Sequence, residues 1–364
     1  MLSLKHTAAL ALLGGAVAFA PAAATAQTAF EKLVALSKAE VDKKGGTLDI
    51  SLDWTDTDAA PVMKAFMAEF PFVKKVNFSR ETGVGQFGGY LLSLQQGNPP
   101  QLDILHVASE FEQQYWDAGA FVKPLIPYKD LAAALPKDYP PLEPRLIGPD
   151  GNFIATTGNA RGVIWNPALF PVGYVPTNWA ECHSPALAGK VLLDARNKLQ
   201  PFQWDKKERD RHVTWLKAMV ANKVVLVRGQ AGVLQKVASG EFPMACGMNY
   251  HTATRAMEIE GVKTIKFAFP ESIPLELATR LYVPKWSKTP ATVQLFAVWA
   301  VTKGQEYLAQ SAYRGFPWNQ KAAINSLAKG KTVVICDAAC ATGWEDYNKE
   351  YAGILGIPYV PGEN

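Results

Sequence analysis

The stretch Leu48-Asp49-Ile50-Ser51-Leu52-Asp53-Trp54, followed by Thr55-Asp56-Thr57-Asp58, decides the fold class of this 364-residue chain. Leu48, Ile50, Leu52 and Trp54 alternate with Asp49, Ser51 and Asp53, the period of two that sends alternate side chains to one face of a β-strand. The four polar residues that follow carry side-chain oxygens able to satisfy the free N–H groups of a helix start. Val62, Phe66 and Phe70 then recur at four-residue spacing and build one apolar helix face. Strand, capping loop and helix form the opening unit of an α/β domain.

Upstream, Phe30 to Lys43 reads as a helix ended by Lys44-Gly45-Gly46. Downstream the unit repeats. Val76 to Phe78 is a predicted strand and Gly83-Val84-Gly85-Gln86 a glycine loop. Phe87, Tyr90, Leu91 and Leu94 form a helix face that stops at Gly97-Asn98-Pro99-Pro100. Leu102 to Val107 reads as a buried strand and Glu110 to Gly119 as a helix. Alternating β and α segments with short loops predict a parallel or mixed sheet covered by helices on both faces. Ligands of such sheets bind beyond the carboxyl ends of the strands. The loops Trp54–Asp56, Gly83–Gln86 and His106–Ser109 occupy that position.

A Pro-rich stretch from Leu135 to Pro149 breaks the pattern, and Phe153 to Asn166 reads as extended chain able to cross between two lobes. A second α/β region follows, with strands at Val191–Leu193, Val224–Val227 and Phe242–Met248. Its helices run from a capping-box start at Asp205 to Val220, and from Gln230 to Ser239. Phe267-Ala268-Phe269-Pro270 is a second candidate crossing. The last third is helical, with Thr289-Pro290 as a helix start, Gly304 as an interruption and Trp344 to Tyr351 as a final segment.

The amino end reads as a secretory leader: Lys5, an apolar run to Ala20, and the small-x-small site Ala24-Thr25-Ala26 before Gln27. The run is short for a membrane span, and no Cys stands at the cleavage point. The expected product is an exported protein of about 338 residues, long enough for two lobes. Its net charge, +4 by formal count and one less without Lys5, is too mild and dispersed for a nucleic-acid or membrane-surface partner. In an oxidising compartment Cys182, Cys246, Cys336 and Cys340 permit up to two disulfides, and Cys336 and Cys340 are close enough to bridge a small loop. The Cys336-x-x-x-Cys340 spacing, without a nearby His or second Cys pair, does not suit zinc.

Several segments, in order, resemble the periplasmic solute-binding proteins of ATP-driven (ABC) importers, in the branch that includes ferric-ion, phosphonate and sugar-phosphate binders. They are Gly97-Asn98-Pro99-Pro100-Gln101-Leu102-Asp103-Ile104, Asp150 to Phe153 with Thr157 to Asn166, Pro176-Thr177-Asn178-Trp179-Ala180-Glu181, Gly189-Lys190 into Asp194, Ala238 to Pro243, Thr289 to Leu308, and Arg314-Gly315-Phe316-Pro317. The resemblance spans roughly residues 47 to 320. It implies a type 2 bilobal fold: two Rossmann-like α/β lobes joined by two crossing segments, with the ligand in the cleft. The expected division is a leader over 1–26, a first lobe from 27–157 plus 271–364, and a second lobe over 158–270.

The cleft is then expected to be lined by Trp54, Thr55, Asp56, Gly85, Gln86 and Ser109 from the first lobe, by Arg161 on a crossing, and by Asn249, Tyr250 and His251 at a strand end. The helix start after Asp56 attracts an anion, and an Arg can hold a carboxylate or phosphate through two parallel hydrogen bonds. Asn159 stands where the resemblance places a further Arg. Ferric-binding relatives carry two adjacent Tyr where this chain has Tyr250-His251. A metal would therefore need Tyr250 and His251 plus a first-lobe ligand such as His106, Asp53 or Asp56. Asp194 and Trp204 are peripheral candidates.

The expected function is capture of a small, anionic organic solute by hinge closure for a membrane permease, by a monomer without a cofactor. Ferric ion or its complex is the alternative ligand. An enzyme using Cys182 or Cys246 as nucleophile, and a receptor feeding a sensor, are the competing functions. The enzyme is disfavoured because no catalytic set is assembled around either Cys.

Overall fold

The computed structural model describes residues 28–80, 84–107, 111–148, 150–195, 206–336 and 344–359. The leader, Ser109, Trp204, the Asp205 cap and Cys340 lie outside these residues. Among the described residues no helix is long and apolar enough to cross a membrane.

Helix α1 (Ala29–Lys43) starts at Thr28, whose hydroxyl accepts from the Glu31 N–H while the Glu31 carboxylate accepts from the Thr28 N–H. Strand β1 (Thr47–Leu52), helix α2 (Asp56–Glu69), strand β2 (Lys75–Arg80), helix α3 (Val84–Gln95) and strand β3 (Ile104–Leu105) follow. β1 lies between β2 and β3, and all three run parallel, as the alternation predicts. One feature differs from the sequence reading: the glycine loop does not extend to Gln86, because α3 already begins at Val84. The periodic Phe87, Tyr90 and Leu91 pull the preceding residues into the helix. Short elements α4 (Glu112–Asp117), β4 (Phe121–Val122) and α5 (Tyr128–Ala133) complete this part.

Strand β5 (Phe153–Trp165) is the first crossing. Strand β6 (Val191–Asp194), α6 (Lys206–Ala221), β7 (Val225–Val227), α7 (Gln230–Ala238), β8 (Met244–Asn249), α8 (Tyr250–Glu258) and β9 (Lys266–Ala268) make the second α/β region. The second crossing is strand β10 (Ser272–Pro284), entered just after the predicted Phe267–Pro270. Helices α9 (Pro290–Val301), α10 (Gln305–Ser311) and α11 (Ala323–Ala328), strand β11 (Thr332–Cys336) and a last described helix (Trp344–Leu355) close the chain. The second sheet has the order β11-β10-β5-β8-β6-β7, with β5 antiparallel to both β10 and β8 and with β6–β7 and β6–β8 parallel. It is thus mixed and runs continuously through both halves of the molecule.

Burial separates the halves. One large core gathers Leu48, Ile50, Trp54, Phe66, Phe296 and Trp299 from segments far apart in sequence. Phe66 meets both Phe296 and Trp299 at centroid distances of 5.1 Å. α9 is buried on every side, and its two polar residues are bonded inside, Thr292 to Ser37 and Gln294 to the Ile126 backbone. In the second half consecutive residues go to opposite faces. Val163, Leu193 and Cys246 join one core, while Ile164, Leu192 and Ala245 join another. Both faces are covered, which explains strands with continuous apolar runs. Gly162 sits at a bulge in β5, where an added Cβ would collide with the Ala268 carbonyl and the Phe267 ring.

Cys182, in the short helical turn Trp179–His183, is bonded to Cys246 on β8, and both are buried. The sequence left all pairings open. The last helix packs against α6, with Arg209 paired to Glu350 and His212 edge-on to Tyr351. Tyr351 belongs to a second-half core, although the sequence division put residues 271–364 wholly in the first lobe. A helix this late in the chain can reach either half, and only the Tyr351 contacts reveal which.

Candidate functional site

β1 delivers Asp53 at its carboxyl end, and side chains from two distant segments bond that carboxylate. Its Oδ2 pairs with Arg314 Nη1 at 2.6 Å, and its Oδ1 accepts from Thr279 Oγ1 at 2.7 Å. The Thr279 oxygen also accepts from Trp54 Nε1 at 3.3 Å and lies 2.6 Å from Thr157 Oγ1. A hydroxyl has one proton, so Thr157 is the donor in that last contact. Thr279 takes φ of +48° and Tyr313, just before Arg314, takes +52°. Left-handed backbone is unusual for a β-branched residue, and such strain collects at functional sites. Burial alone would raise the Asp53 pKa. The Arg314 charge, His106 and the Thr279 hydrogen bond outweigh it and hold the carboxyl far below its ordinary range.

A second polar row runs across β10, β5 and β8. Glu276 is in register with Asn159, and Arg161 with Asn249. Asn159 Nδ2 donates to Glu276 Oε2 at 3.1 Å, and Arg161 Nη2 stands 3.5 Å from the same oxygen. Burial lowers the Arg161 pKa, and the charges of Glu276 and Asp194 oppose that shift. Gln230, at the start of α7, accepts from the Asn249 N–H through Oε1 at 2.9 Å. His251 lies between the two polar groups. Burial first, then the Arg314 charge, pushes its pKa well below the usual value, with Asp53 opposing and Arg161 and Arg255 adding to it. It is a neutral imidazole at pH 7.

Six buried polar atoms here have no hydrogen-bond partner among the described residues: Asn159 Oδ1, Gln230 Nε2, Asn249 Oδ1, His251 Nδ1, His106 Nδ1 and Arg314 Nε. Buried polar atoms are normally satisfied, so this concentration makes the cluster a candidate ligand site. A separate surface cavity of about 250 Å³ lies beside Arg145, Trp318 and Lys329 and contains none of these atoms. Arg255 on α8 also pairs with Asp58 on α2, so an ion pair crosses between the two cores.

The residues predicted to line the site are placed as follows. Arg161, Asn249 and His251 are in the polar cluster. Trp54 is fully buried in the first core and reaches the cluster only through its indole N–H. Thr55 caps α2 by accepting from the Asp58 N–H, and Asp56 is exposed in the first turn of α2. Gly85 and Gln86 lie in the first turn of α3, and Gln86 donates to Tyr90. Tyr250 is buried against Phe267 and Phe269, and that burial raises its phenol pKa. Thr157, Gln230, Glu276, Thr279 and Arg314 were missed as site residues. Glu276 carries a visible signal, a lone acid inside the apolar run Ile273 to Leu277, and Arg314 stands in the quoted Arg314-Gly315-Phe316-Pro317 motif.

Among the described residues no group of three or more His, Cys, Asp or Glu side chains is placed to hold a metal ion. Cys182 and Cys246 are joined to each other, so neither offers a thiolate.

Comparison with known proteins adds the family. The fold resembles iron-bound HitA from Pseudomonas aeruginosa, with 18% identity, a TM-score of 0.63 and coverage of 85% of this chain and 99% of that one. It also resembles apo ferric ion-binding protein A from Pasteurella haemolytica, at 14% identity and a TM-score of 0.66, covering 86% and 99%. A third relative in fold is the periplasmic binding protein AfuA from Actinobacillus pleuropneumoniae with fructose-6-phosphate bound, at 16% identity and a TM-score of 0.60, covering 86% and 99%. No curated protein matches the chain in sequence. Residues 62–332, most of the chain, match one family over its characteristic region, and on that match the protein belongs to the bacterial extracellular solute-binding proteins.

Proposed function

We propose that this protein is the periplasmic receptor of an ABC importer, acting as a monomer that captures a small polar organic solute between two lobes and presents it to a membrane permease. The described residues of the first lobe are those within 28–157 and 271–336, and those of the second lie within 158–270 and the last helix. One observation carries the reading: the paired groups Arg314–Asp53 and Arg161–Glu276 are accompanied by unsatisfied buried polar atoms of Arg314 from the first lobe, Asn159 on a crossing strand, and Gln230, Asn249 and His251 from the second. Such a cluster between lobes suits closure around a ligand. The leader-like amino end and the buried disulfide support export.

An organic solute is favoured over ferric ion. Iron capture needs phenolate or carboxylate oxygens, whereas Tyr250 is enclosed by two Phe rings with its ionisation suppressed. The test is native mass spectrometry with metal analysis on protein purified from its own periplasm. A bound organic mass that unfolding releases is the expected result. Stoichiometric iron, with a visible charge-transfer band lost in Tyr250→Phe, would overturn the organic reading.

A further inference from the structure

The ionised side chains of the cluster are already met by opposite charges. Arg314 pairs with Asp53. Arg161 lies under the charges of both Glu276 and Asp194, and Glu276 acts on Arg280 as well. Arg280 Nη1 also donates to Glu112 Oε2 at 2.8 Å, and Asp194 Oδ1 accepts the Gly229 N–H at 2.8 Å. These groups form one interlocked set. A solute with a net charge of either sign would have to break into it, and a buried ion that loses its partner is costly.

The open positions are of another kind. Three are amides. Asn159 gives its Nδ2 to Glu276, which fixes the orientation of the amide and leaves Oδ1 as an acceptor. Gln230, only 9% exposed, gives Oε1 to the Asn249 N–H, which leaves Nε2 as a donor. Asn249 Oδ1 adds an acceptor close to that donor. Two more are the Nδ1 atoms of His106 and His251, in imidazoles that burial holds neutral. A neutral ring nitrogen donates or accepts according to its tautomer. The sixth is Arg314 Nε, a donor on a guanidinium whose charge Asp53 already balances.

Donors and acceptors are thus mixed, and they are spread out. Asn159 and Arg161 stand two residues apart on β5, about 7 Å by strand geometry, and Arg161 is in register with Asn249. A row of hydroxyls can span such a distance, and each hydroxyl both donates and accepts. We infer that the solute is an uncharged polyhydroxyl compound, a polyol or small sugar without phosphate, carboxylate or ammonium. Its hydroxyls take the amides of Asn159, Gln230 and Asn249, the two imidazoles and Arg314 Nε, and the ion pairs stay intact. This rests on the reading of the cleft as the solute site, and names the chemical class of what it takes.

The experiment is calorimetric and fluorescence titration of the mature protein, freed of ligand by unfolding and refolding with the disulfide kept. The neutral probes are glycerol, erythritol, xylitol, mannitol, myo-inositol, ribose, xylose and glucose. The controls are glucose 6-phosphate, gluconate and glucosamine, which add one charged group to a sugar, and acetamide, which is neutral without hydroxyls. The expected result is saturable binding of at least one polyol or sugar, about tenfold or more tighter than any control. Its affinity should not change as salt is added, because no net charge is matched. Gln230→Glu keeps an acceptor on the Asn249 N–H but removes the Nε2 donor. That variant and Asn249→Ala should each weaken binding by about tenfold or more at a normal melting temperature. A control that binds as tightly as the best polyol or sugar overturns the chemical class and leaves the receptor reading standing. So does full affinity in both variants. Failure of every polyol and sugar overturns the class too; an organic mass on the native protein then keeps the receptor reading, and the absence of one removes both.

Discussion

Thr279 joins Asp53, Trp54 and Thr157 through one oxygen while its backbone occupies a region β-branched residues avoid. Removing that oxygen leaves the buried Trp54 indole N–H unpaired, worth about 1–3 kcal/mol, whereas the partly exposed Asp53 carboxylate keeps Arg314. Thr279→Ala should therefore lose about 1–3 kcal/mol in urea unfolding, while Thr279→Ser, which keeps the hydroxyl, should stay near the wild type. Equal losses in both would mean that the methyl packing, and not the hydroxyl, matters. Asp53 was legible as the last residue before a strand end, but its partners were not. Thr279 is 226 positions away and Arg314 is 261, and no local pattern announces a contact over such a separation. Arg161 was reached through the resemblance of the segment Thr157 to Asn166 to a family motif, because the strand around it also carries Thr156, Thr157 and Asn159. Tyr250 was misleading for the opposite reason: a strand-end Tyr looks exposed until Phe267 and Phe269 are folded over it.

Among the elements, α6 and the last helix form a contact that depends on pH. His212 of α6 is fully buried, stacked on Trp215 and edge-on to Tyr351. Burial pushes its pKa down to about 3, against about 6.5 in an unfolded chain. The fold therefore favours neutral imidazole. Its contribution is complete above about pH 6.5 and is lost as pH falls toward the folded value, because the unfolded chain then binds the proton. From pH 7 to pH 5 this amounts to about 2 kcal/mol. His212→Phe should flatten the urea midpoint between those pH values by a corresponding amount, and an unchanged slope would show that His212 is not held neutral. Most strands and helices were readable from period and caps alone. The exceptions are short β3, where two residues suffice because the His106–Leu281 bridge continues the pairing, and the start of α3, where Gly85, read as part of a loop, is drawn into a helix. Propensity yields there to the apolar face that follows.

At the scale of the whole molecule, Asp58 and Arg255 tie α2 of one core to α8 of the other. Asp58 is buried and Arg255 only partly so, and a pair of that kind contributes about 1 kcal/mol. Arg255→Ala should raise the radius of gyration of the ligand-free protein in small-angle scattering, leave the liganded value unchanged, and weaken solute binding by about fivefold. An unchanged free-state radius would show that the pair does not set the lobe equilibrium. The first crossing was legible from its length without a helical period, while the second was expected at Phe267–Pro270 and lies just beyond it in β10; the continuous sheet they form was not legible, because pairing between strands 115 positions apart leaves no local trace. That sheet interrupts the first lobe with the second, which has a consequence in time. The first core closes only when Phe296 and Trp299 reach Phe66, whereas the second lobe closes from a nearly contiguous stretch. A chain emerging amino end first must therefore carry its opening helices and strands unsealed until about four fifths of its length has appeared. A delayed seal of this kind keeps the nascent polypeptide threadable through a narrow channel, so the order of assembly itself favours passage before folding.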